Sequence, residues 1–365
     1  MKKRVLVLLL KYGLGFGVLA YLLVSNWHIM RDGRDEGLAT VLERPFDFWF
    51  FLLSFVLCLA STLLTFVRWH ILVRAQDLPF TMTSAVRLGF VGTFTSTFLP
   101  GSVGGDIIKA AFLCREQQRR TVAVATVLAD RLIGLFGLIW VTALLGGVFW
   151  SSGQLEEMTS DPEAILLLES IIWTAGILAG ASIVVWVVVG VAPDRWIAGI
   201  GNWLARCPKV GGTLRELWGA VWLYRRHGAR SVILALVLSM VGHIGFFMTF
   251  YFAARTVFPG GDIPSFTAHL LIVPVGATVQ GVFPAPGGMG GGELIFGLLY
   301  RGMGFPAASG VLASLLKRSI DWALGFVGYF VYLGMRSDLP AAPRVEAPDA
   351  EKPPANLDVV PNSDA

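Results

Sequence analysis

The apolar residues of this chain neither alternate nor keep to one helical face; they run on. Windows near 5–27, 46–67, 121–150, 165–192, 231–257 and 306–334 are apolar on every side. Each is long enough for the roughly 20-residue helix that crosses a hydrocarbon core. Two further windows, 84–114 and 266–302, are interrupted by "TFLPGSVGGDIIKAAF" and "PAPGGMGGGELIF". The limbs on either side of each break are too short to cross, so both windows predict re-entrant helical hairpins. A different rhythm occupies 193–230, where Trp196, Ile200, Trp203 and Leu204 recur at helical spacing among arginines. That pattern fits helices lying in the cytoplasmic membrane interface, and equally a helical hairpin packed on the protein's own underside. The expected fold class is therefore an all-α polytopic membrane protein, with about six spanning helices and two hairpins. One integral membrane domain covers 1–336, and a disordered cytoplasmic tail rich in Pro, Ala, Asp and Glu covers 337–365.

Composition fixes the solvent. Hydrophobic residues make up 55% of the chain and charged residues 15%, with a mean hydropathy of +0.67. A soluble domain carries about a quarter charged residues, and the short alternating segments of a β-barrel are absent. The net charge of +4 does not point to nucleic acid, because the basic residues flank apolar windows in the positive-inside manner. Lys2, Lys3 and Arg4 place the N-terminus in the cytoplasm, while 151–164, with four acids and no Lys or Arg, should face outward. The arginines of 193–230 face inward, so both termini are expected on the cytoplasmic side of a cell (inner) membrane. The first window is too long for a signal peptide and lacks a small-residue cleavage site, so it reads as a retained helix. Cys58, Cys114 and Cys207 are far apart and imply neither a disulfide framework nor a zinc site. No cofactor or metal is called for, since no GK[ST], HExxH or GxSxG motif occurs.

The two breaks resemble each other. Pro100, Gly101, Gly104, Gly105 and Asp106 form one series; Pro286, Gly287, Gly288, Gly290 and Glu293 form the other. Each is a proline, then glycines, then an acid opening an apolar limb. In both cases an arginine follows the acid at the same distance, Arg131 after Asp106 and Arg318 after Glu293. Each arginine also has an acid close by in sequence, Asp130 and Asp321 respectively. Counting spans outward and inward makes the first hairpin enter from the cytoplasm and the second from outside. The two units are then related by inversion, a design of secondary transporters with broken helices near the midplane.

Broken backbone at membrane depth persists only where protein or a wet cavity satisfies its amides and carbonyls. The limb after each break starts a helix whose first amides are free and whose dipole is positive there, which favours anions. Glycines admit a close approach to the backbone, and the planar forks of Arg131 and Arg318 suit phosphate oxygens. Asp106 and Glu293 have two open readings, as caps of the half-helices or as acids whose charge changes in a transport cycle. Asp130, Arg131, Lys317, Arg318 and Asp321 either line a site or lock helices together by ion pairs. His243 reads as a hydrogen-bonded packing residue, and the hydroxyls of Thr93, Thr95, Ser96 and Thr97 as helix-bonded or path-lining.

At "FLPGSVGGD" with its downstream "ADR", and "PAPGGMGGGE" with its downstream arginine, the chain resembles the lysylphosphatidylglycerol synthase transmembrane (flippase-like) family over about residues 5–335. The resemblance implies movement of an anionic phospholipid or polyprenyl-phosphate-linked headgroup between leaflets. It implies no catalysis, because the soluble synthase or glycosyltransferase domain found fused in some members has no counterpart. Two other readings stand beside it: an anchor for a separate synthase or glycosyltransferase, and a membrane-embedded enzyme acting on lipid phosphate.

Overall fold

The computed structural model describes residues 2–28, 30–31, 34–35, 37–98, 104–117, 119–207, 211–212, 215, 218, 224, 228–261 and 263–336. Among these are thirteen helices and one short antiparallel ribbon, Met30–Arg31 with Arg34–Asp35. The helices are α1 (Lys2–Ser25), α2 (Leu38–Leu42), α3 (Phe48–Arg74), α4 (Met82–Phe98), α5 (Gly104–Glu116), α6 (Arg120–Ser151) and α7 (Gln154–Met158). There follow α8 (Pro162–Val191), α9 (Asp194–Leu204), α10 (Ala229–Arg255), α11 (Phe266–Val282), α12 (Gly291–Gly302) and α13 (Ala307–Arg336). The tail over 337–365, Pro100 and Gly101 lie outside the described residues.

Four helices, α3, α6, α8 and α10, are long and apolar enough to cross a membrane. To these six-window expectations α13 adds 30 residues that carry Lys317, Arg318 and Asp321, and α1 contributes a shorter apolar stretch, Leu9–Ser25. Large apolar side chains cover the outside: Ile177 is 68% exposed and Phe330 67%. Such a surface is stable against hydrocarbon and not against water. The protein is a polytopic α-helical membrane protein.

Local signals set the helix ends. Asp47 caps α3, its carboxylate accepting from Trp49 N at 2.9 Å and Phe50 N at 3.2 Å. Asp161 caps α8 at Glu163 N, with Pro162 at the first helical position, where its missing N–H costs nothing. The second hairpin window breaks as expected, with 283–290 between α11 and α12. In the first window α4 ends at Phe98 and α5 begins at Gly104, and 99–103 lie outside the described residues.

The two units, α3–α6 and α10–α13, repeat one another contact for contact. Thr81 caps α4 at Ser84 N (3.1 Å), and Ser265 caps α11 at Ala268 N (3.2 Å). Gly105 abuts Ser96 across the first hairpin, as Gly292 abuts Gln280 across the second. Gly92 faces the Lys109 side chain, and Gly276 faces the Phe296 ring. Lys109 in turn lies over Trp69 of α3, as Phe296 stacks on Phe250 of α10. Asp106 pairs with Arg131, and Glu293 with Arg318.

Direction supplies the inversion. The lead helices α3 and α10 are antiparallel: Asp47 N donates to Thr256 O at 2.9 Å, Phe50 stacks on Phe252, and Ser54 Oγ donates to Thr249 O at 2.7 Å. Ser61 meets Gly242 and Gly245, where small residues let the two backbones approach. The other helices exchange partners as a two-fold relation demands. Helix α4 packs on α13 and α11 on α6, while α6 packs on α10 and α13 on α3. Outside the repeats, α8 lies along α6, and α1 lies against α12.

Candidate functional site

The second break meets the end of α4. Gly287, with φ of +54°, sits where a Cβ would stand 3.0 Å from Thr97 O at the end of α4. Helix α1 straps the end of α4 and the second break: the Tyr12 hydroxyl donates to Phe98 O at 2.9 Å, and Gly290 packs close against Gly15 and Val18. Around this junction lie two charged centres, one from each unit.

The second centre is sealed. Pro286 opens a tight turn closed by Met289 N to Pro286 O at 3.0 Å, with positive φ at Gly287 (54°) and Gly288 (66°). Gly290, at φ +81°, precedes α12, and its amide donates to Glu293 Oε2 at 2.8 Å. Glu293 therefore caps its half-helix through the carboxylate arm of a capping box. Its other oxygen accepts Arg318 Nε at 2.5 Å, and Arg318 Nη2 reaches Oε2 at 3.1 Å. The remaining donors close onto the turn, with Nη1 on Gly287 O at 3.0 Å and Nη2 on Gly288 O at 3.4 Å. Glu293 is 0% and Arg318 3% exposed. A guanidinium so placed is a clamp on the broken backbone, supplying hydrogen bonds that no helix provides there.

The first centre is more open. Asp106, in the first turn of α5, pairs with Arg131 Nε, yet the Arg131 side chain is 49% exposed. Gly104 begins α5, and Gly105 is buried against α4. Asp130 does not serve its sequence neighbour Arg131. It accepts Arg68 Nε at 2.7 Å, and Arg68 Nη1 donates to Ser239 Oγ at 2.9 Å. Likewise Asp321 takes Lys317 rather than Arg318, with Nζ 2.7 Å from both carboxylate oxygens. Cys58 Sγ leans on the same carboxylate at 3.9 Å. The charged residues named from sequence thus gather at the midsection as separate ion pairs.

Two functional-looking residues escaped the sequence reading. Arg68 resembled the positive flank of a span ending at 67, but α3 continues to Arg74 and buries it to 7% exposure. Its signal is that "TFVRWHILV" stays apolar on both sides of the arginine. Lys109 had no motif; its position, one turn beyond Asp106, is the available clue. His243 bonds Gly134 O through Nε2 at 2.9 Å, tying α10 to α6. Thr93 and Thr95 donate to Gly89 O and Val91 O within α4.

Two inverted units of broken helices with buried ion pairs define a class: polytopic α-helical membrane proteins built as an inverted repeat. The family model for the lysylphosphatidylglycerol synthase TM region matches residues 9–328, and the chain belongs to that family. It is also similar to a UPF0104 membrane protein of Pyrococcus horikoshii, 22% identical over 313 residues that cover 80% of this chain and 88% of that one. No solved structure matches.

Proposed function

We propose that this chain moves an anionic lipid headgroup, of a phospholipid or a polyprenyl-phosphate-linked lipid, between the leaflets of a cell (inner) membrane. The observation that carries the reading is the junction itself. The glycine turn before α12 meets the end of α4, and the unit that contains α4 also carries Arg131, a half-exposed side chain paired with Asp106 inside the helical bundle. Charge at that depth is costly and is retained for a ligand or path. The family's name supports a phospholipid, because lysylphosphatidylglycerol is built on phosphatidylglycerol and keeps its anionic phosphodiester. An aromatic ladder of Phe94, Phe98, Phe326 and Tyr329 runs from the first break to the exposed face of α13, where acyl chains would stay in lipid. Rocking of one unit on the other about the α3–α10 seam would expose the headgroup to each side in turn.

The test is reconstitution in vesicles carrying a fluorescent phosphatidylglycerol in one leaflet. Wild-type protein should accelerate its exchange, and Arg131→Ala should abolish the acceleration while eluting as a folded species. Equal rates from both would sink the mechanism. Mass analysis of the same lipids separates movement from chemistry, since a new lipid species would favour an embedded enzyme instead.

A further inference from the structure

We propose that Lys109 is an anion-binding residue, and that the first unit alone carries the site for the lipid's phosphate group. This inference rests on the transport reading and assigns its headgroup contact. The second unit cannot supply that contact, because Arg318 spends its three nitrogens on Glu293, Gly287 and Gly288 and is shut from the surface. In the first unit the charges do not close. The charged groups acting on Lys109 are Asp130, Asp106, Arg131 and Arg68. Both carboxylates are already engaged, Asp106 by Arg131 and Asp130 by Arg68. Among these described groups three cations face two anions.

Among the described residues, the Lys109 ammonium makes no hydrogen bond or ion pair. It lies half-buried over two rings instead, 5.4 Å from the Trp69 centroid and 5.9 Å from that of Phe66. Cation–π contact compensates a desolvated ammonium only in part, and an uncompensated charge in a bundle core is strongly destabilising. The pseudo-equivalent position is Phe296, 1% exposed and stacked on Phe250 with centroids 4.0 Å apart. A residue of that kind fills the same slot without cost, so packing does not require the lysine. An oxyanion beside Lys109, with Arg131 as second cation, completes the balance. A phosphate ester fits this chemistry: singly charged, and able to accept from an ammonium and a guanidinium together.

Purified protein in detergent is titrated with phosphatidylglycerol, with phosphatidylcholine and with inorganic phosphate, following bound lipid by native mass spectrometry and unfolding by heat. Lys109→Met should weaken phosphatidylglycerol binding by roughly tenfold or more, the scale of a lost charged hydrogen bond. In detergent without added lipid or phosphate it should unfold no earlier than wild type, since it removes an uncompensated charge. Phe296→Leu should leave the affinity unchanged. Unchanged binding by Lys109→Met overturns the proposal, as does an earlier unfolding with ligand response intact, which marks the lysine as a packing element. Should Lys109→Met fail to fold, Lys109→Gln is titrated in its place with the same criteria. Loss of response to inorganic phosphate as well assigns the site to phosphate from either source; loss for the lipid alone assigns it to the lipid. Lys109-dependent binding in a protein that moves no lipid would retire the transport reading and keep the site. Translocation with Lys109-independent binding would do the reverse.

Discussion

The two charged centres have the same ancestry in the fold and opposite finish. Asp106–Arg131 and Glu293–Arg318 join equivalent helices, yet the first arginine side chain is 49% exposed and the second 4%. In the second unit, the glycine turn folds its carbonyls back onto the guanidinium, Phe296 fills the neighbouring slot, and α1 covers the turn. In the first, a lysine occupies that slot and the arginine keeps open surface. One copy of the motif is thus spent on holding broken backbone together, while the other keeps an exposed cation. Symmetry of the chain trace does not imply symmetry of function.

Breaking the sealed centre should have the largest effect. Glu293→Ala strands a buried guanidinium and uncaps α12, costing about 3–5 kcal/mol, so the protein should lose its folded elution peak in detergent. Glu293→Leu combined with Arg318→Met should recover only part of that loss, because Gly287 O, Gly288 O and Gly290 N are then orphaned. Next comes Gly287→Ala, which places a side chain at φ +54° and 3.0 Å from Thr97 O. A left-handed non-glycine residue costs about 1–2 kcal/mol, readable as a lowered Tm. Tyr12→Phe removes one hydrogen bond from α1 to Phe98 O and should cost roughly 1 kcal/mol. Arg131→Ala should cost less than Glu293→Ala, because its guanidinium is half-exposed where that of Arg318 is sealed, while abolishing headgroup exchange. If its thermal loss matched that of Glu293→Ala, the contrast between the two centres would fail.

Much of this was legible in the chain because it is local or periodic. The spans, both breaks and the 25-residue spacing from acid to arginine follow from residue order. The pairings were not legible. Asp130 and Arg131 are adjacent in sequence, but successive residues on a helix point about 100° apart, so Asp130 faces Arg68 on α3 while Arg131 faces the hairpin. Asp321 pairs with Lys317, four residues before it on the same face, because Arg318 is turned to Glu293 and the glycine carbonyls. Arg68 was hidden because a cation at the end of an apolar run looks like a membrane flank until the helix is seen to continue.

By itself, the sequence determined the solvent, the spans, the two breaks and their inverted kinship, since hydrophobic length and backbone-breaking residues act locally. Only the tertiary structure decided which centre is closed and which is open. That outcome depends on what packs across each break, and neighbours from distant helices, α1 and the slot filled by Lys109 or Phe296, are set by the fold rather than by residue order.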